Sequence, residues 1–226
     1  MKIVILGTGS VAKNFATVFS NKGHNISICS RNIESAKSKL SDILSDNICI
    51  APTISAIEEA DAILLAFGGN PTNLSDVKKI IESYGITKTL MSDKIVIDAT
   101  NPFSSTKPGC FSEYFVNTSL GEVYQSLMIG SRFYKAFNTI GVLHLGNGTF
   151  NNTKATMMYA GDSSDSEAID TVESLICDAD FKPQWVGPMR FARNLESIAE
   201  LWVNMAYFTK ATKESFNNFA ISVLSK

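Results

Sequence analysis

The stretch Lys2-Ile3-Val4-Ile5-Leu6-Gly7-Thr8-Gly9-Ser10-Val11-Ala12 decides the fold. Lys2–Leu6 is a short apolar run rich in β-branched side chains and closed by glycine, which predicts a strand. Beyond the turn, Ser10–Lys22 carries Val11, Phe15, Val18 and Phe19 at helical spacing. Between the two elements lies G-x-G-x-x-A. Gly7 permits the tight turn, Gly9 lets a pyrophosphate approach the backbone, and Ala12 is small enough for the helix to pack on the strand. The helix N-terminus offers unpaired N–H groups and a partial positive charge to phosphates. Thr8 and Ser10 add hydroxyl donors.

Working outward, Asn25–Cys29, Asn47–Ala51, Ala62–Phe67, Lys94–Ala99 and Phe133–Phe137 read as further strands. Helices are expected over Ile33–Leu44, over Leu74–Ser83 and over Ser112–Met128, the last interrupted at Gly121. The runs IVIL, AILLAF and IVID are almost wholly apolar rather than alternating, the mark of strands covered on both faces. The expectation is an α/β, Rossmann-type doubly wound, mostly parallel sheet in a single domain, 1–226. Its dinucleotide-binding core is 1–140 and a C-terminal extension is 141–226. In the extension, Gly141–Thr149 reads as a loop, Ala155–Ala160 as a strand, Ser163–Ala179 as a helix and Phe181–Val186 as a strand broken by proline. Two helices, Met189–Phe208 and about Lys213–Leu224, close the chain. The stripe Phe191, Leu195, Ile198, Leu201, Trp202 and Met205 is expected to pack on the sheet, a homodimer surface being the other reading.

Composition narrows the function. The 226 residues are 45% apolar, enough for one sizeable core, and 20 Lys and Arg against 22 Asp and Glu give a net charge of −2. That balance, without any basic run, leaves no footprint for nucleic acid or an anionic membrane. Cys29, Cys49, Cys110 and Cys177 are far apart, His24 and His144 stand alone, and no metal-ligand spacing occurs, so no metal is expected. The first apolar run is too short for a secretory signal and no stretch is long enough to span a membrane. A cytoplasmic protein is expected.

The end of the second strand selects the dinucleotide. An NAD site usually places an acidic residue there to hold the ribose 2′-OH. This chain has Cys29-Ser30-Arg31-Asn32. A carboxylate would repel a 2′-phosphate, whereas a hydroxyl, a guanidinium and an amide would bind it, and the planar fork of Arg31 matches phosphate geometry. Lys37, further into the helix, adds charge. The bland alternative is that Ser30 only caps the helix and Arg31 is solvated. NADP is the expected cofactor.

Three more strand ends reach the edge where ligands of open α/β folds bind. They are Ala66-Phe67-Gly68-Gly69-Asn70-Pro71, Asp98-Ala99-Thr100-Asn101-Pro102-Phe103 and Lys135-Ala136-Phe137-Asn138-Thr139. Glycines in the first allow close approach to the cofactor, and proline after Asn101 holds that residue extended. No nucleophile–base pair emerges. Tyr134 and Lys135 are neighbours in a strand and must face opposite sides, so no catalytic acid or base is assigned. Hydride transfer between two bound rings asks for positioning more than proton transfer.

GTGSVA (7–12), CSRN (29–32), IVIDATNPF (95–103), YKAFNT (134–139) and VGPMRFARNLESIAELW (186–202) together resemble the NADPH-dependent deazaflavin (coenzyme F-420) oxidoreductases. The oxidoreductase domain of the STEAP-type metalloreductases is similar too, but no counterpart of its membrane-spanning half is read here. The resemblance implies a Rossmann domain that passes hydride between NADP(H) and a flavin or deazaflavin ring. It implies that Thr8, Ser10, Val11 and Ala12 contact the pyrophosphate, and Ser30, Arg31 and Lys37 the 2′-phosphate. Ala66, Phe67, Gly68 and Asn101 would line the ribose–nicotinamide path, with Ala136, Phe137 and Asn138 near the nicotinamide. Residues 188–196 would match a late helix that closes the far side and can form a dimer. The turn Phe67-Gly68-Gly69 departs from the family's aliphatic-proline turn, at the acceptor pocket. Two other readings stand beside this one: an NADPH-dependent carbonyl or imine reductase, and a non-catalytic NADP-binding sensor or interaction protein.

Overall fold

The computed structural model describes residues 1–208 and 218–224. The N-terminal part alternates strand and helix, with two helices between its fourth and fifth strands: β1 (Lys2–Leu6), α1 (Ser10–Ser20), β2 (Asn25–Cys29), α2 (Ile33–Leu40), β3 (Ile48–Ile50), α3 (Thr53–Glu58), β4 (Ala62–Leu65), α4 (Leu74–Ser83), α5 (Lys88–Met91) and β5 (Ile95–Asp98). Next come α6 (Leu120–Leu127) and β6 (Arg132–Lys135). These six strands form one parallel sheet in the order β3-β2-β1-β4-β5-β6. The chain order reverses direction beside β1, so a crevice opens at the carboxyl ends of β1 and β4. The doubly wound α/β expectation holds.

Period-two alternation sorts the strand side chains into two cores. Ile3, Ile5, Ile26, Ile28, Leu64 and Ile97 face Phe15 and Phe19 of α1. Val4, Leu6, Ile63, Leu65 and Val96 face Val77, Ile81 and Tyr124 from α4 and α6. Nearly every one is sealed from water; at ~1.5–3 kcal/mol per large apolar side chain, this burial is what makes the strands independent of local propensity.

Past β6 the chain makes a hairpin, β7 (Thr149–Phe150) and β8 (Thr153–Lys154), then β9 (Thr156–Tyr159), α7 (Ser166–Asp178), β10 (Lys182–Trp185) and α8 (Ala192–Val203). The parallel pair β9–β10 joins the main sheet through one antiparallel rung, Lys135 to Ala160. No helix among the described residues is long and apolar enough to cross a membrane.

Several sequence expectations need correction. The helix expected over Ser112–Met128 is a 3-10 turn at Glu113–Phe115 followed by α6, and Gly121 lies inside α6 rather than breaking it. A side chain there would meet Met189 Cε at 2.9 Å, Asp98 Oδ2 at 3.1 Å and Lys135 Cδ at 3.3 Å. Glycine is therefore a packing requirement. The loop expected to run to Thr149 leads into the β7–β8 hairpin, whose turn residues Asn151 and Asn152 are both left-handed, with φ of 47° and 62°. On α8, Leu195 and Trp202 are buried as expected, but Leu201 is 54% exposed and Glu196 takes a place in the buried face. Of the last expected helix, residues 213–217 lie outside the described residues. Residues 218–224 are irregular, because their backbone bonds sideways to β9: Thr156 donates to the Ile221 carbonyl, and the Val223 N–H to Thr156 Oγ1.

Candidate functional site

The crevice has two ends of opposite character. At the phosphate end, the α1 N-terminus is Gly9, and no side chain caps it. By contrast α2, α4, α5, α6 and α7 are capped by Asn32, Asn73, Thr87, Ser119 and Asp165. The first-turn N–H groups of α1 therefore stay open for an anion. The two glycines of the turn differ. Gly7 has φ of +136°, and an added Cβ would lie 2.0 Å from the Ala66 carbonyl oxygen, so it serves the contact between the β1 and β4 tips. A Cβ on Gly9 would meet nothing within 4 Å; its bareness serves whatever fills that space.

An open cleft of about 500 Å³ continues from Thr8 and Gly9 to Ser30, Arg31, Asn32, Ser35 and Lys39, with Gly68, Gly69, Ile80 and Tyr84 on its other side. Among the described residues, no carboxylate lines it. The Arg31 guanidinium lies 5.8 Å from the centre of the Tyr84 ring, a cation–π seat that holds an exposed cation over the cleft. Asn32, not Ser30, caps α2, its Oδ1 accepting from the Ser35 N–H at 2.9 Å. Ser30 Oγ donates to the Asn32 carbonyl and accepts the Asn32 N–H, which fixes the bend that presents Arg31. Lys37 does not reach the cleft lining; it pairs with Glu34 at 3.0 Å, and the cation facing the cleft is Lys39, which sequence reasoning passed over. Helical geometry was the missing signal, since residues 35 and 39 share a face one turn apart.

The β4 tip contributes backbone rather than side chains. Ala66 is buried and Phe67 turns inward, its ring 5.0 Å from Tyr84 and 5.4 Å from Tyr124. Gly68 stands open at the cleft.

The ring end is different. Here Val11 of α1, Asn101 and Phe103 of the β5 tip, and Phe137 and Asn138 of the β6 tip enclose a cavity of about 180 Å³. Ala199, Trp202 and Val203 of α8 and Tyr207 beyond it complete the wall, so the C-terminal extension supplies one side. Among the described residues, no Asp, Glu, Lys, Arg or His lines it. Ala12 and Ala136 are fully buried beneath, outside the lining. Phe137 adopts φ of +65°, unusual without glycine, and its ring packs edge-on against Phe15 and Phe19, 5.2 and 6.2 Å away. Asn101 and Asn138 bridge the two strand tips: Asn101 Nδ2 donates to the Asn138 carbonyl and Asn138 Nδ2 donates to Asn101 Oδ1, each at 3.1 Å.

Beneath these tips sits a buried charge cluster. Lys135 Nζ lies 2.8 Å from Asp98 Oδ2 and 2.9 Å from Glu196 Oε1, and donates to the Thr100 carbonyl at 2.5 Å. Asp98 Oδ1 accepts from the N–H and hydroxyl of Thr100. Glu196 accepts the Leu120 and Gly121 N–H groups that open α6. Burial pulls the Lys135 ammonium down, but the two carboxylates more than offset this and hold it above the usual lysine range. Tyr134 faces the opposite side of the sheet, its hydroxyl donating to the Asp162 carbonyl. The cluster therefore braces the tip that carries Asn101 and offers no open acid or base. Its signal in the sequence is two charged residues, Asp98 and Lys135, each ending an apolar strand.

Residues 2–102 match the family model described as NADP oxidoreductase, coenzyme F420-dependent, so the resemblance drawn from the motifs is borne out over that stretch, which holds GTGSVA and CSRN. That family is one of NADP-dependent oxidoreductases. Among solved structures, the chain is similar over 100% of its length, and 100% of the other's, to an Arthrobacter protein provisionally described as an F-420-dependent NADP reductase, with a TM-score of 0.81 and 21% identity. A hypothetical protein from Sinorhizobium meliloti gives a TM-score of 0.66 at 21% identity over 85% of this chain and 88% of that one. A reductive aminase from Aspergillus terreus, in complex with NADPH and ethyl levulinate, gives 0.61 at 15% identity, covering 91% of this chain and 61% of its own. These structural likenesses concern the fold.

Proposed function

We propose that this chain, whose residues 2–102 match a family of NADP-dependent oxidoreductases, transfers a hydride between NADPH and a flavin or deazaflavin ring in the cytoplasm. The observation that carries the reading is the polarity of the crevice. One end is cationic and free of carboxylates, the other is apolar, uncharged and sized for a flat ring. A dinucleotide with a 2′-phosphate needs both. The residues fit it: Gly9 leaves space where the backbone must be approached, and the α1 N–H groups with Thr8 and Ser10 would hold the pyrophosphate. Ser30, Arg31 and Asn32, with Lys39 in place of the distant Lys37, would hold the 2′-phosphate. Ala66, Gly68 and Asn101 would flank the ribose path, and Val11, Phe137 and Asn138 the ring.

When bound, the cofactor supplies the hydride. The chain's own part is to hold two rings in register and keep water from between them, the kind of work that positioning alone can do. The uncharged lining of the ring end supports a ring acceptor. Among the described residues lining that cavity Tyr207 alone is ionisable, so it is the group a carbonyl or imine substrate would have to use as proton donor. Trp202 and Tyr207 of the extension wall the cavity, which supports reading 1–226 as a single unit.

Stopped-flow oxidation of NADPH by FMN, FAD, a deazaflavin and a cyclic imine tests the proposal. Turnover with one of the ring acceptors and not with the imine is expected. Turnover with the imine alone would make it an imine reductase, and tight NADP binding without transfer to any acceptor would make it a sensor.

A further inference from the structure

Asn138 Oδ1 is the buried side-chain polar atom that finds no partner among the described residues. The residue is 4% exposed and lines the ring-end cavity. The identity of the orphan atom follows from its neighbours. The Asn138 backbone carbonyl can only accept, so Asn101 must turn Nδ2 toward it. That leaves Asn101 Oδ1 toward Asn138, and an oxygen again only accepts, so Asn138 must answer with its own Nδ2. Flipping either amide would set like against like. The unfilled valence is therefore an acceptor, closed to bulk water, and a buried acceptor left unpaired is costly. A donor entering the cavity that Asn138 lines would fill that valence.

The walls restrict what that donor rides on. Phe103, Ile140, Leu145 and Trp202 are apolar, and Gly141 is pressed so close to the Trp202 indole that a Cβ would lie 2.5 Å from it. A sugar would leave most of its hydroxyls unpaired against such walls. A flat ring bearing one amide fits them. We infer that Asn138 is a specificity-determining residue whose Oδ1 accepts a hydrogen bond from the primary carboxamide of the nicotinamide, fixing which face and edge of that ring meets the acceptor. The inference rests on the NADP reading above and adds to it the atom that reads the ring.

Calorimetric titration of the full chain with three probes tests it. The probes are NADP+, its 3-acetylpyridine analogue, in which a methyl replaces the amide nitrogen, and 2′-phospho-ADP-ribose, which has no ring. The wild-type chain is expected to prefer NADP+ over the analogue by about five- to tenfold, the size of one net hydrogen bond. Asn138→Leu is expected to bind the two equally while keeping its affinity for 2′-phospho-ADP-ribose. Equal binding of NADP+ and the analogue by the wild type overturns the inference without need of a variant, as does a preference that survives in Asn138→Leu. Failure of 2′-phospho-ADP-ribose to bind the wild type removes the NADP reading itself.

Discussion

The two ends of the crevice are built by different physical means. At the phosphate end, Arg31 and Lys39 are exposed side chains on the rim, and little else in the molecule depends on them. At the ring end, Asn101 and Asn138 are bonded to each other, and the β5 tip is held from below by the buried Lys135 cluster. Charge can be read from the surface because a phosphate attracts a cation through partial hydration. Ring orientation needs atoms held to a fraction of an ångström, which packing and buried hydrogen bonds provide. Binding and stability should therefore separate at one end and coincide at the other.

The strongest attempt to break that contrast is Lys135→Met. It leaves Asp98 and Glu196 buried without their cation, and a loss of about 3–5 kcal/mol in urea unfolding is expected. A loss under about 1 kcal/mol would mean that the cluster is not the brace described. Next in size, Arg31→Ala should weaken NADPH by about 1.5–3 kcal/mol, hardly change NADH, and leave the unfolding midpoint in place. Equal losses for both coenzymes would remove Arg31 from the 2′-phosphate.

Alkaline titration probes the buried lysine and tyrosines. Lys135 holds its proton more tightly in the folded chain, and burial does the same for Tyr84, Tyr124, Tyr134 and Tyr159. With folded pKa values above the unfolded ones, the folded chain binds more protons in that range. The stability these groups contribute is whole below about pH 10 and is lost as pH rises through the folded values, at about 1.4 kcal/mol per pH unit for each proton. A flat stability profile between pH 9 and 12 would contradict this, and Lys135→Met should show a shallower fall. The smallest expected change in stability belongs to Gly9→Ala, within about 0.5 kcal/mol, because its Cβ meets no protein atom. It should nonetheless weaken NADPH and NADH alike, since the pyrophosphate is common to both.

The same contrast explains what could be read from the sequence. Strands β1, β4 and β5 announce themselves because a strand sealed on both faces needs an unbroken apolar run, and the glycine turn is a local requirement visible in six residues. The Asn151-Asn152 turn is equally local, paired asparagines with left-handed backbone being a hairpin signal, yet it lies just past the loop read over Gly141–Thr149 and its two short strands were not expected. The brace was harder. Gly121 looks like a helix breaker until Met189, Asp98 and Lys135 are seen against it, and Glu196 looks like a solvated helix face until Lys135 is found beneath it. Both depend on contacts between residues far apart in the chain. The exposed helix α3, six residues after Pro52, is too short to show a periodic face at all. Lys39 rather than Lys37 faces the cleft because it emerges from the same side of α2 as Ser35, a geometry that counting charges does not reveal.

The position of Glu196 has one more implication. It belongs to the last helix, yet it completes the ion cluster of β5 and β6 and receives the first two amides of α6. An excised fragment ending near residue 140 would keep every glycine and cation of the nucleotide motif while losing a member of its own interior. Such a fragment should fail to fold for a reason unrelated to nucleotides, and the coenzyme half is therefore no detachable cassette.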